Sequence, residues 1–236
     1  MKYIQPDWPA PANIKAITTL KTCWGDPQAS TKDPIVRQQL TDLYTLPNDP
    51  LWLNQTHSTI AVKAISQNKD ADADATFTDE SNQICIVLTA DCLPILICHE
   101  DGKAVAAIHA GWRGLANGII ESTLQAMRQP AEKLLVWLGP AIGPQKFEVG
   151  IDVYEAFTQA HPEAELAFKS HTKNKWLADL YALAKMRLQK QGINKIYGGT
   201  YCTYTQSELF YSYRREQQNS GRMASLIWIS DSSHSK

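Results

Sequence analysis

Long apolar runs are missing from this chain: none approaches the roughly 18 uninterrupted residues that a membrane-spanning helix requires. The opening stretch, Met1 to Lys15, is broken by Pro6, Pro9 and Pro11 and contains no apolar block of the kind an export signal carries. Net charge is also nearly absent, at −1, so the electrostatics give no reason to expect nucleic acid or an acidic membrane surface as partner. A soluble, cytoplasmic protein is therefore expected. No Cys-x-x-Cys occurs among Cys23, Cys85, Cys92, Cys98 and Cys202, which removes zinc knuckles and thioredoxin-like motifs. An odd number of thiols without an export signal points to reduced cysteines, so a special one is a ligand or a nucleophile rather than half of a bridge.

Other absences narrow the chemistry. Asp72, Asp74 and Asp79 lack the spacing and closing Glu of an EF-hand loop. The His-x-Glu and Pro-Cys-x-x-Cys pair of the zinc deaminases does not occur. No internal repeat or flexible linker is visible, and one domain over residues 1–236 is expected, with a polar tail at 230–236. An apolar content of 44% and seven Trp argue for a packed core.

Apolar runs bounded by turn residues predict strands over 14–20, 51–54, 59–65, 84–89, 94–98, 104–109, 134–138, 193–197, 210–213 and 223–229. Asp33-Pro34 predicts the start of a helix reaching residue 43. Leu115, Ile119, Ile120, Thr123, Leu124 and Met127 predict one amphipathic helix over 115–127. Further helices are predicted from an Asp152 cap to residue 160, and over 177–189 with Gly192 as the stop. Many strands with a few helices give an α+β fold of layered sheets and helices.

Two segments carry the chemistry: Thr89-Ala90-Asp91-Cys92 and His109-Ala110-Gly111-Trp112-Arg113-Gly114. Each follows an apolar run, so Cys92 and His109 fall where strands end and loops open. His57, in Gln55-Thr56-His57, lies in a similar setting. Two His and one Cys leave a tetrahedral zinc one open position, as in a catalytic site. Cys85 and Cys98 sit within apolar runs and read as small buried hydrophobes. Gly111 and Gly114 either permit a tight turn or let an anion approach a helix N-terminus, with Arg113 to grip it. Arg214, Arg215 and Arg222 alternate with Phe210, Tyr211 and Tyr213, a pattern suited to phosphate and a planar base or to an exposed edge strand. Asp91 and Asp74 are candidates for the general acid, by proximity to the ligand segments.

Together the segments Gln55 to His57, Ala73 to Ala75, Thr89 to Pro94, His109 to Gly114, Leu138 to Gly143, Cys202 to Thr205, Phe210 to Arg215 and Gly221 to Met223 resemble the YfiH-type family. This family is also called the laccase-domain or multicopper polyphenol oxidase family. The matching segments keep the family's order across roughly residues 50–230. The resemblance implies an α/β/β/α fold with mixed sheets and a single zinc on His57, Cys92 and His109. It implies phosphorolysis of adenosine, inosine and methylthioadenosine, with adenosine deamination as a further activity. Purine nucleoside and phosphate are then the partners, with Gln55, Asp91, Arg113, Arg214, Arg215 and Arg222 as candidate substrate contacts. Near the N-terminus the family carries Arg-x-Gly-Gly-Val-Ser; here Leu20 to Asp26 stands in its place, with Lys21 replacing the arginine.

A multinuclear copper oxidase would need on the order of ten imidazoles, because imidazole is the usual copper ligand. This chain has six His, so copper is expected only as an alternative metal with weak polyphenol oxidase activity. A zinc hydrolase acting on muramoyl-peptide precursors and a non-catalytic zinc-stabilised scaffold are the remaining rivals.

Overall fold

The structure is a computed structural model that describes residues 2–21 and 33–231. Strands β1 (Tyr3–Ile4) and β2 (Ile14–Thr19) precede helix α1 (Pro34–Tyr44). Short strands β3 (Ala61–Lys63) and β4 (Ala75–Thr78) lead into three buried ones, β5 (Ile84–Thr89), β6 (Leu93–His99) and β7 (Val105–Ala110). Helices α2 (Trp112–Asn117) and α3 (Ile119–Met127) follow, then β8 (Leu134–Leu138) and β9 (Glu148–Val149). The chain continues through α4 (Ile151–Thr158), β10 (Phe168–Thr172), β11 (Lys175–Ala178) and α5 (Leu180–Lys190). It closes with β12 (Lys195–Gly198), α6 (Tyr213–Glu216) and β13 (Met223–Ile229). No described helix is long and apolar enough to cross a membrane.

A six-stranded mixed sheet has the order β12-β8-β6-β7-β4-β3, and a four-stranded sheet the order β1-β2-β13-β5. Side chains alternate across each strand with period two, and the central strands β5, β6, β7 and β8 are buried on both faces. Along β6, Leu93, Ile95 and Ile97 pack towards the helices, whereas Leu96 and Cys98 pack towards the other sheet. Along β5, Cys85 and Val87 enter the space between the sheets, while Ile84 and Ile86 join Leu40 of α1 on the outer face. Three apolar layers thus separate helix, sheet, sheet and helix, the α/β/β/α arrangement expected. Burying one such Ile, Leu or Val stabilises by about 1.5–3 kcal/mol.

Several predicted elements differ. Residues 115–127 form two helices, because Gly118 adopts φ 105 and ends α2 before α3 begins. Asp152 is not the cap of α4: Gly150 holds that position, and Asp152 lies in the first turn, where its charge favours the helix N-terminus. Helix α5 starts at Leu180 rather than 177, since the Asp179 carboxylate accepts from the N–H groups of Tyr181 and Ala182. Residues 175–178 instead pair with 168–172 in a hairpin. Residues 210–213 form no strand; Ser212 caps α6 by accepting from Arg215 N–H. Residues 51–54 contribute only isolated bridges, Leu51 to Cys85 and Asn54 to Asp72.

Candidate metal centre

Strands β6 and β7 are antiparallel neighbours, with Leu93 opposite Ala110 and Pro94 opposite His109. The residue before β6 and the penultimate residue of β7 therefore meet at the same sheet end, which brings Cys92 beside His109. The Ala90–Asp91–Cys92 connection also crosses from the four-stranded sheet to the six-stranded one, with Asp91 at φ 84 making the sharp turn. His57 arrives on the loop before β3, at φ 61. Ligand atoms of His57, Cys92 and His109 lie within 4.8 Å of one another, and Cys92 Sγ is 3.8 Å from His57 Nε2. Tetrahedral zinc with bonds of about 2.0 and 2.3 Å places such ligands about 3.5 Å apart, close to the 3.8 Å between Cys92 Sγ and His57 Nε2, so the donor set fits a metal ion.

Charge at the centre is arranged for such an ion. The His109 Nδ1–H donates to the buried Asp74 carboxylate at 2.7 Å, leaving Nε2 to face the other ligands. Burial pushes the Cys92 thiol up, but attraction and hydrogen bonding to His109 and His57 outweigh it and lower it to about 6. Burial likewise opposes charge on His109, while the Cys92 sulfur and Asp74 raise it to about 9. Burial also disfavours the Asp74 carboxylate, yet hydrogen bonds from His109 and Ser58 hold it at about 2. By contrast, Cys85 and Cys98 are pushed up to about 12 by burial alone or nearly so.

The centre opens into a cleft of about 630 Å³. Gln55, Asp91, Arg113, Arg214 and Arg222 all border it, but they are not equally free. Gln55 is spent on the backbone of Leu88, donating to its carbonyl and accepting from its N–H. The Asp91 carboxylate accepts from Thr203 Oγ, Ser212 Oγ and Arg214 N–H, so it serves as a latch rather than a general acid. Asp74 is fully buried and does not border the cleft, which removes it from that role too. Arg214 donates to the Glu148 carbonyl, and Arg222 to those of Ser220 and Gly221. Arg113 is exposed and stacks over Trp112 at 4.4 Å.

Arg215 does not border the cleft. Its guanidinium donates to the carbonyls of Thr203, Tyr204 and Phe210 and to Glu216. Lys21 pairs with Glu216 at 2.9 Å and is likewise outside the cleft; residues 22–26 of the divergent segment lie outside the described residues. The glycines of 111–114 are accounted for by close packing. A Cβ at Gly111 would lie 2.5 Å from His57 Cδ2, and one at Gly114 would lie 2.9 Å from the Ser58 carbonyl. Sequence reasoning missed Arg37, Trp52, Ile142 and Phe147 as further cleft residues. They come from separate elements with no shared motif.

Residues 20–230 match the model of a family described as multi-copper polyphenol oxidoreductase laccase. The chain is 42% identical to a purine nucleoside phosphorylase of Haemophilus influenzae, over 97% of this chain and all of that one. It is 40% identical to the purine nucleoside phosphorylase YfiH of Escherichia coli K12, over 97% and 99% of the two chains. Among solved structures, a Neisseria meningitidis protein superposes with a TM-score of 0.91 at 43% identity, covering 98% of this chain and 100% of that one.

Proposed function

This chain belongs to the multi-copper polyphenol oxidoreductase laccase family, and we propose that it is a zinc-dependent purine nucleoside phosphorylase acting on adenosine, inosine and methylthioadenosine. One observation carries the reading: the three ligands, an exposed arginine and an aromatic wall border the same cleft. Relatives named as purine nucleoside phosphorylases, similar over nearly the whole chain, support it.

His57, Cys92 and His109 would hold the metal. A bound zinc supplies Lewis acidity on the open side of that ligand set. Arg113 takes the phosphate, because among the described residues its guanidinium is not spent on carbonyls or carboxylates, and it can form two parallel hydrogen bonds with phosphate oxygens. Arg222 adds positive charge at the same cleft. Phe147, Ile142 and Tyr213 offer the apolar surface against which a purine packs. Adenosine deamination is the side reaction of the same cleft, with water in place of phosphate as co-substrate.

Copper is the alternative occupant, favoured by the family's description and by a His/His/Cys donor set that also suits that metal. Among the described residues only one such ligand group occurs, which suits weak polyphenol oxidation and not a multinuclear oxidase. The deciding experiment is metal analysis of the purified protein, followed by chromatography of inosine reactions with and without phosphate. Phosphate-dependent release of hypoxanthine and ribose 1-phosphate is expected. Absence of both products from zinc-loaded protein sinks the proposal.

A further inference from the structure

Asp74 precedes β4 and is fully buried, yet its carboxylate gathers donors from two separate parts of the chain. Oδ1 accepts from His57 N–H at 3.0 Å and from His109 Nδ1–H at 2.7 Å. Oδ2 accepts from Thr56 N–H at 3.2 Å, from Ser58 N–H, and from Ser58 Oγ at 2.7 Å. Three successive backbone N–H groups thus converge on one carboxylate, a nest of the kind that binds anions. The residue in its middle, His57, has φ 61, a left-handed conformation that a non-glycine residue keeps only where the surroundings impose it. The Asp74 carbonyl also accepts from the His109 backbone N–H at 2.7 Å.

We propose that Asp74 is the positioning residue of the metal centre: one buried carboxylate holds His109 in the tautomer that offers Nε2 and holds the 56–58 segment in the conformation that presents His57. This rests on the reading that His57, Cys92 and His109 hold a metal ion. Two of the three ligands then depend on a side chain that touches neither metal nor substrate. Only a group with acceptors on both ends satisfies the arrangement. An amide at position 74 turns an NH2 either towards His57 N–H and His109 Nδ1–H or towards the Thr56 and Ser58 donors, and one side clashes in either orientation.

The test uses zinc affinity by competition with a chromophoric chelator and the visible absorption of the cobalt-substituted protein, neither of which needs turnover. Wild-type protein is expected to take up one zinc and to show the intense cobalt bands of a tetrahedral site. Asp74→Asn is expected to lower zinc affinity roughly 10–100-fold, the range found when partners of ligating histidines are removed, and to alter the cobalt bands. Should that variant not fold, Ser58→Ala, which removes one donor to Asp74 together with the acceptor of Ile60 N–H, is expected to weaken zinc binding a few-fold and shift the cobalt bands. Folded Asp74→Asn with unchanged affinity and spectrum overturns the proposal, as does an unchanged Ser58→Ala. Wild-type protein that binds neither metal removes the centre itself, and the proposal with it. Binding of metal without phosphorolysis removes only the assigned activity and leaves the role of Asp74 standing.

Discussion

The Asp91 carboxylate accepts from the Arg214 backbone N–H at 2.6 Å, so the residue next to Cys92 also anchors the opposite wall of the cleft. Thr203 Oγ at 2.6 Å and Ser212 Oγ at 3.0 Å complete its contacts. Three segments, around residues 91, 203 and 212–214, are fastened at one point. Asp91→Ala leaves their donors without this acceptor and is expected to cost roughly 2–4 kcal/mol of stability. Zinc content should stay near that of wild type, while KM for nucleoside rises more than kcat falls. Metal analysis and steady-state kinetics on the purified variant check this; loss of zinc would show that the latch acts through Cys92 instead.

Arg113 and Arg215 should separate binding from architecture. Losing a charge-assisted contact to phosphate is worth roughly 1.5–3 kcal/mol, which is about a 10–100-fold rise in the KM for phosphate in Arg113→Ala. Thermal stability should hardly move, since Arg113 is exposed and its guanidinium lies over the Trp112 ring with no ion pair among the described residues. Arg215→Ala should do the reverse, because it strips donors from the carbonyls of Thr203, Tyr204 and Phe210. Melting curves and phosphate titrations on both variants decide; matching effects in the two would refute the division.

The thiols should differ sharply in reactivity with pH. In metal-free protein, alkylation of Cys92 by iodoacetamide should rise with a midpoint near 6, against an ordinary cysteine value of 9.0. Cys85 and Cys98, pushed up to about 12, should stay unmodified at pH 8. Zinc should protect Cys92. Peptide mapping by mass spectrometry across pH 5–9 measures all three; a Cys92 midpoint near 9 would contradict the electrostatics described.

Glu100 accepts from Lys133 and Lys195, joining the ends of β6, β8 and β12. Those hydrogen bonds lower its carboxyl from 4.5 to about 2. A carboxyl lowered on folding contributes stability that is present above its unfolded value and is lost as pH falls through the folded one. The contribution should therefore be intact above about 4.5 and fade between there and about 2. Glu100→Gln should lower the melting temperature at pH 7, and its difference from wild type should shrink as pH falls towards 2. A difference independent of pH would exclude the charge as its cause.

Strands buried on both faces were legible from sequence because burial leaves continuous apolar runs: β5, β8 and β13 span the residues their patterns predict. The β10–β11 hairpin was not legible. β10 runs Phe-Lys-Ser-His-Thr and is largely exposed, so pairing alone holds it in place and no apolar pattern marks it. The aromatic run at 210–213 read as a strand, yet the Ser212 cap and its bond to Asp91 redirect the backbone into α6. At the centre, strand ends marked Cys92 and His109. The role of Asp74 stayed hidden, because its partners include the backbone N–H groups of 56–58, which side-chain patterns do not encode. Arg215 turned inward for a similar reason: it answers carbonyls.

The register of β6 against β7 has a kinetic consequence. Cys92 and His109 come together once a local hairpin forms, but His57 needs the β4 edge and Asp74 added to it. Cys92 and His109 are thus close in sequence while His57 is distant from both, so the hairpin pair is expected to meet first and His57 to join it later. On that order of assembly, a bound metal ion is expected to meet its full ligand set only after the folding barrier. Added zinc should accordingly slow unfolding several-fold and leave the refolding rate nearly unchanged, which stopped-flow tryptophan fluorescence with and without zinc can read. The ion would act as a lock on the finished sheet and not as a seed for it.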